Sequence, residues 1–154
     1  MRWKQFFTPV KSMDALQAKD YLAKKPSDAY TILDVRQPGE YESGHIPGAK
    51  LIPLPELNDR VGEIDASKPA IVYCAVGGRS RVAAQLLSGR GFKEVYNLSG
   101  GIRAWDGAVV TGPMEVGMGL ITGKEDPGEM LLVAYAMEEG MKIFYEEMGS
   151  RVRN

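Results

Sequence analysis

Two short runs, Thr31-Ile32-Leu33-Asp34-Val35 and Ala70-Ile71-Val72-Tyr73-Cys74, are almost unbroken in apolar residues. A strand with one wet face alternates apolar and polar side chains, whereas a strand covered on both faces has no place for that alternation. Parallel strands also need long crossover connections, usually helices, which cover the sheet on both sides. The two runs therefore predict central strands of a mostly parallel sheet within an α/β domain.

The remaining pattern in residues 1 to 110 agrees. Further β-rich runs are Phe6 to Val10, Lys50 to Ile52 and Glu94 to Leu98, and the first apolar run extends back to Tyr30. Between them lie helical patterns. One spans Asp14 to Lys24 behind Ser12 as N-cap, with Leu16, Ala18, Tyr21 and Leu22 along one side. A second runs from Leu54 to Val61. A third starts at Arg79, carries Val82, Ala83, Leu86 and Leu87 at helical spacing, and stops at Gly89 and Gly91.

Composition removes several function classes. The chain has 154 residues, 44% hydrophobic and 25% charged, and a formal net charge of −1, which disfavours both wholesale disorder and a dedicated nucleic-acid binder. One Cys and one His cannot form an internal disulfide or supply a closed zinc site, so no metal is expected. No apolar run approaches the ~20 residues of a membrane-spanning helix. The N-terminus, MRWKQFFTPV, lacks a signal-like stretch. These features predict a soluble cytoplasmic protein with neither nucleic-acid nor membrane partners.

The chemistry concentrates in Cys74-Ala75-Val76-Gly77-Gly78-Arg79-Ser80, directly after one predicted strand and before a helix. The carboxyl end of a parallel strand is where sites of such sheets form. Gly77 and Gly78 let the backbone curl so that successive N–H groups of Ala75, Val76 and their neighbours point inward. With a helix N-terminus beneath, such a nest holds an anion and lowers a thiol's pKa without a base. Arg79 adds a cation, and Ser80 caps the helix or donates to the loop. A cysteine so placed suits accepting a group and holding it as a charged adduct.

Here the sequence resembles the rhodanese family. Leu33-Asp34-Val35-Arg36-Gln37-Pro38-Gly39-Glu40-Tyr41 with Gly44-His45-Ile46-Pro47-Gly48-Ala49 is similar to the family's first signature, and Tyr96-Asn97-Leu98-Ser99-Gly100-Gly101-Ile102-Arg103-Ala104-Trp105 to its closing one. With the Cys loop, three motifs stand in order over residues 1–113. The resemblance implies a rhodanese-like domain with a five-stranded, mostly parallel sheet flanked by helices. It also implies sulfur transfer: Cys74 takes a sulfane sulfur from a small-molecule or protein-bound donor and passes it to an acceptor. The substrate contacts would come from Ala75, Val76, Gly77, Gly78, Arg79 and Ser80. The persulfide is covalent, so no separate cofactor is implied.

Where relatives carry a basic or aromatic residue after the Cys, this chain has Ala75 and Val76. That departure favours a protein-bound persulfide or another neutral sulfane donor over the thiosulfate dianion. It also leaves open a non-catalytic binding or sensor module. A phosphatase of the same fold has one more residue between Cys and Arg than the four here, Ala75 to Gly78, and is disfavoured. His45, Trp105 and the Gly100-Gly101 turn read as structural. Asp34 and Arg36 end a strand near the site face and read either as ion-pair formers, for example Arg36 with Glu40, or as substrate contacts.

Beyond residue 110 the chain changes character, holding six of its eight methionines. Residues 114–125 read as a linker. Asp126-Pro127-Gly128-Glu129 is a helix start, and Met130, Ala134, Met137, Met141, Phe144 and Met148 form an apolar stripe on a predicted helix over 126–149. Ala136-Met137-Glu138-Glu139-Gly140-Met141 resembles the first helix of ferritin-like, rubrerythrin-type domains, but a di-iron site needs ligands from four helices. The segment reads either as a fragment of such a domain or as an amphipathic helix for packing, with a homodimer as the expected assembly.

Overall fold

The structure is a computed structural model that describes residues 9–113. The predicted linker over 114–125, the Met-rich helix over 126–149 and the homodimer it suggests lie outside the described residues.

Five strands form one sheet: β1 Lys11–Met13, β2 Thr31–Asp34, β3 Lys50–Leu51, β4 Ala70–Tyr73 and β5 Val95–Leu98. Their order is β1-β5-β4-β2-β3, and every neighbouring pair is parallel. The β2–β4 register aligns Thr31 with Ala70 and Asp34 with Tyr73, so the two apolar runs lie side by side at the centre. Among the described residues four α-helices connect the strands, α1 Ala15–Ala23, α2 Pro38–Ser43, α3 Leu57–Arg60 and α4 Gly78–Gly89, and a fifth, α5 Gly101–Ala104, follows β5.

The strands bury both faces. Leu33, Val35, Ala70, Val72, Cys74 and Val95 pack with Leu57 of α3 and with Ala83, Ala84 and Leu87 of α4. Ile32, Ile71, Tyr73 and Leu98 face the other way, toward Ala18 of α1 and Tyr41 of α2, with Ile102 and Trp105 packed alongside. The absence of alternation in the two runs is thus explained by two cores rather than one.

Local details correct the sequence reading at four places. The first strand is Lys11–Met13, with Pro9 and Val10 outside it, rather than Phe6 to Val10; residues 6 to 8 lie outside the described part. Ser12 is consequently inside a strand, and the N-cap is Asp14, whose carboxylate accepts from Gln17 N while the Gln17 side chain accepts from Asp14 N. That reciprocal box is a stronger start than a lone serine. Leu16 and Val82 are exposed, because the buried stripes run through Ala18 on α1 and through Ala83, Ala84 and Leu87 on α4. The Leu54–Val61 pattern is realised as α3 between two 3-10 turns, Leu54–Glu56 and Val61–Glu63.

The topology also places the site. From β2 the chain moves outward to β3, then returns past β2 to β4 and continues the opposite way to β5. The loops leaving β2 and β4 therefore diverge, opening a crevice at the carboxyl ends of these two neighbours, the position where open α/β sheets bind ligands.

Candidate functional site

Cys74 follows the last residue of β4 and opens the loop that leads into α4. Its side chain is buried, with 1% of its surface accessible. Gly77 has φ +102°, a left-handed conformation that turns the backbone back on itself. The turn aims Gly77 N–H at Cys74 Sγ, 3.1 Å away. Gly78 is the first residue of α4 with ordinary backbone angles, so of the two glycines only Gly77 performs the curl.

Burial pushes the Cys74 thiol up, but the Ser80 hydroxyl and the backbone N–H groups of Ser80, Gly77 and Val76 outweigh it and bring the pKa below its ordinary value. These donors stabilise the thiolate, as the N-terminus of α4 does. Ser80 is itself fully buried; its hydroxyl lies 3.4 Å from Cys74 Sγ and donates to Asn97 Oδ1 at 2.6 Å.

The outer side of the loop is held from α5. Ile102 N–H donates to Cys74 O at 2.9 Å and Arg103 N–H to Ala75 O at 3.2 Å. Gly100 and Gly101 both have positive φ, and a Cβ on Gly101 would lie 2.3 Å from Cys74 O. The closing Gly-Gly turn is therefore a clamp on the cysteine loop as well as a helix start. Trp105 packs at the rim of the second core, as expected.

Arg79 is half-buried and forms a bidentate ion pair with Glu40, both contacts at 2.7 Å. The pair raises the Arg79 pKa, with a lesser contribution from Cys74, and lowers that of Glu40 to about 2. Glu40 Oε2 also accepts from Gln37 N–H at the start of α2, where Glu40 is the third residue. The expected Arg36–Glu40 pair is not formed. Arg36 instead donates to Asp34, at 2.7 Å from Nη2 to Oδ2, and to Gly44 O. Two residues apart at the end of β2, Asp34 and Arg36 are close enough to satisfy each other in the interior, which frees Glu40 to reach across to Arg79.

His45 has the structural role expected of it. It is buried, Nδ1 meets Tyr41 O at 2.8 Å, the ring stacks on Tyr41, and its backbone bridges Val110. Of the other predicted loop residues, Ala75 is half-buried and Val76 is exposed at 56%. The loop reading missed Glu40 and Asn97. Asn97, a buried amide within the run Val95–Leu98, was visible as the one polar interruption of that strand. Glu40 was marked only as a partner for Arg36; nothing local pointed it toward Arg79. Among the described residues no group of His, Cys, Asp and Glu could hold a metal ion, and no helix is long and apolar enough to cross a membrane.

Comparison with known proteins places this arrangement in context. The model of the Rhodanese-like domain family matches residues 14–108. The chain is 47% identical over 78 residues to the Bacillus subtilis protein YqhL, covering 51% of this chain and 62% of that one. It is 38% identical over 79 residues to the thiosulfate sulfurtransferase GlpE of Ectopseudomonas mendocina, covering 51% of this chain and 72% of that protein. A crystal structure of a rhodanese-like domain protein from Staphylococcus aureus superposes with a TM-score of 0.60 at 32% identity, covering 66% of this chain and 98% of that one.

Proposed function

From the premise that this chain belongs to the rhodanese-like domain family, we propose that it is a sulfurtransferase in which Cys74 carries the sulfur. The supporting observation is the thiol itself: it directly follows a central strand, receives Gly77 N–H at 3.1 Å, and has a lowered pKa. In the first half-reaction the Cys74 thiolate attacks the sulfane sulfur of the donor. The new S–S bond forms as the donor's S–S bond breaks, and the leaving group departs with that bond's electron pair, as sulfite from thiosulfate or as a thiolate from a persulfide. In the second half-reaction an acceptor thiolate or cyanide attacks the outer sulfur, and Cys74 leaves as thiolate. No oxidant or reductant is consumed. The N–H groups of Val76, Gly77 and Ser80, which stabilise the thiolate, would also hold the terminal sulfur of the adduct. Ala75, Gly78 and Arg79 complete the walls around it.

A second reading, a binding or sensor module that retains the fold, is favoured by the burial of Cys74, since buried cysteines are commonly inert. Intact mass separates the two. After incubation with thiosulfate, or with a low-molecular-weight persulfide, the protein is expected to gain one sulfur that cyanide removes and that Cys74→Ser never acquires. No adduct with either donor would favour the binding module.

A further inference from the structure

The cation expected to attract donors to the Cys74 loop is already occupied. Glu40 binds Arg79 through both carboxylate oxygens at 2.7 Å, a geometry that fixes the guanidinium in plane with the carboxylate. Arg36 also attracts Glu40, and is itself paired with Asp34. Two guanidiniums are thus matched by two carboxylates, the Asp34–Arg36 pair buried and the Glu40–Arg79 pair half-buried. The loop adds no side-chain charge of its own, because Ala75 and Val76 follow the cysteine. Once Cys74 ionises, a donor meets a negative sulfur offset by the Ser80 hydroxyl, the backbone N–H groups and an Arg79 already paired with Glu40.

We propose that Glu40 sets the donor-charge preference of this site: by neutralising Arg79 it selects sulfane donors carrying one negative charge over the thiosulfate dianion. The inference rests on the sulfurtransferase reading and names the substrate class within it. Glu40 acts through Arg79 and is a positioning residue.

Glu40→Gln isolates the charge. Glutamine keeps an acceptor for Gln37 N–H, as capping boxes accept either residue, so the start of α2 is preserved. The probes are thiosulfate and an aryl thiosulfonate, with cyanide as acceptor. Both donors lose their sulfane sulfur by cleavage of the same kind of S–S bond, releasing sulfite or a sulfinate, but the thiosulfonate carries one negative charge fewer. In Glu40→Gln the KM for thiosulfate is expected to fall roughly two- to fivefold, the range for a half-exposed charge pair. The expected kcat is little changed, and the thiosulfonate KM moves less. Glu40→Asp, which keeps the charge, should retain the wild-type preference. An unchanged ratio between donors in Glu40→Gln, or equal losses with both, would overturn the proposal.

Salt dependence of the wild-type protein gives a test without any variant. With Arg79 neutralised, added salt should leave kcat/KM for thiosulfate level or raise it relative to the thiosulfonate. A steeper fall for thiosulfate would show an unpaired cation at the site and refute the role of Glu40. Failure of both donors to load Cys74 would defeat the sulfurtransferase reading, and the proposal with it. Loading by both without the expected ratio would defeat Glu40 alone.

Discussion

At the scale of single residues, the thiol is governed by one hydroxyl as much as by the backbone. The Ser80 hydroxyl has two acceptors in reach, Asn97 Oδ1 at 2.6 Å and Cys74 Sγ at 3.4 Å. The Ser80 side chain is the largest influence lowering the Cys74 pKa, acting against burial. Ser80→Ala should therefore raise that pKa, so that less thiolate is present at any given pH. The pH profile of iodoacetamide alkylation is expected to shift to higher pH, with its alkaline plateau unchanged. The same substitution leaves the buried Asn97 oxygen without its donor, which should lower stability by about 1–3 kcal/mol, read from urea denaturation. Ser80 was legible as a loop residue because it follows Arg79 at a helix start. Its buried partner was not, because Asn97 lies on another strand and only the β4–β5 pairing brings it near.

Among the elements, the short helix α5 and its glycine turn matter most to the site. Gly101 has φ +58°, and a side chain there meets the carbonyl carbon and oxygen of Ala75 at 2.5 Å as well as Cys74 O. Backbone cannot yield as a flexible side chain can, and a left-handed alanine already costs about 1–3 kcal/mol. Gly101→Ala should lower the denaturation midpoint and abolish sulfur loading together. Gly39, in the first turn of α2, has nothing within 4 Å of its missing Cβ and no positive φ. Gly39→Ala should be neutral or stabilise by up to about 1 kcal/mol, since alanine forms helix more readily. Sequence spacing marked both glycines as members of motifs. It did not separate the one held against the loop's carbonyls from the one facing open space.

At the scale of the whole fold described, residues 9–113, stability rests on two cores, one on each side of the sheet. Leu87 of α4 is fully buried among Leu33, Val72 and Val95, whereas Leu16 of α1 is 74% exposed. Leu87→Ala is expected to cost about 2–5 kcal/mol, and Leu16→Ala to stay within about 0.5 kcal/mol, in chemical denaturation. Both leucines looked alike in the sequence, as members of apolar helical stripes. Periodicity sufficed for β2 to β5 and for α1, α3 and α4, for the burial of β2 and β4 on both faces, and for a cysteine loop between strand and helix, but not for β1 or the short α2. These features arise from backbone geometry and side-chain alternation over a few residues, which neighbouring positions encode. What only the tertiary structure decided was which distant groups meet: Glu40 with Arg79, separated by 39 positions, Ser80 with Asn97, and Gly101 with the carbonyl of Cys74. Those meetings follow from the sheet order β1-β5-β4-β2-β3, which brings the carboxyl ends of β2, β4 and β5 together in space although long crossovers separate them in sequence.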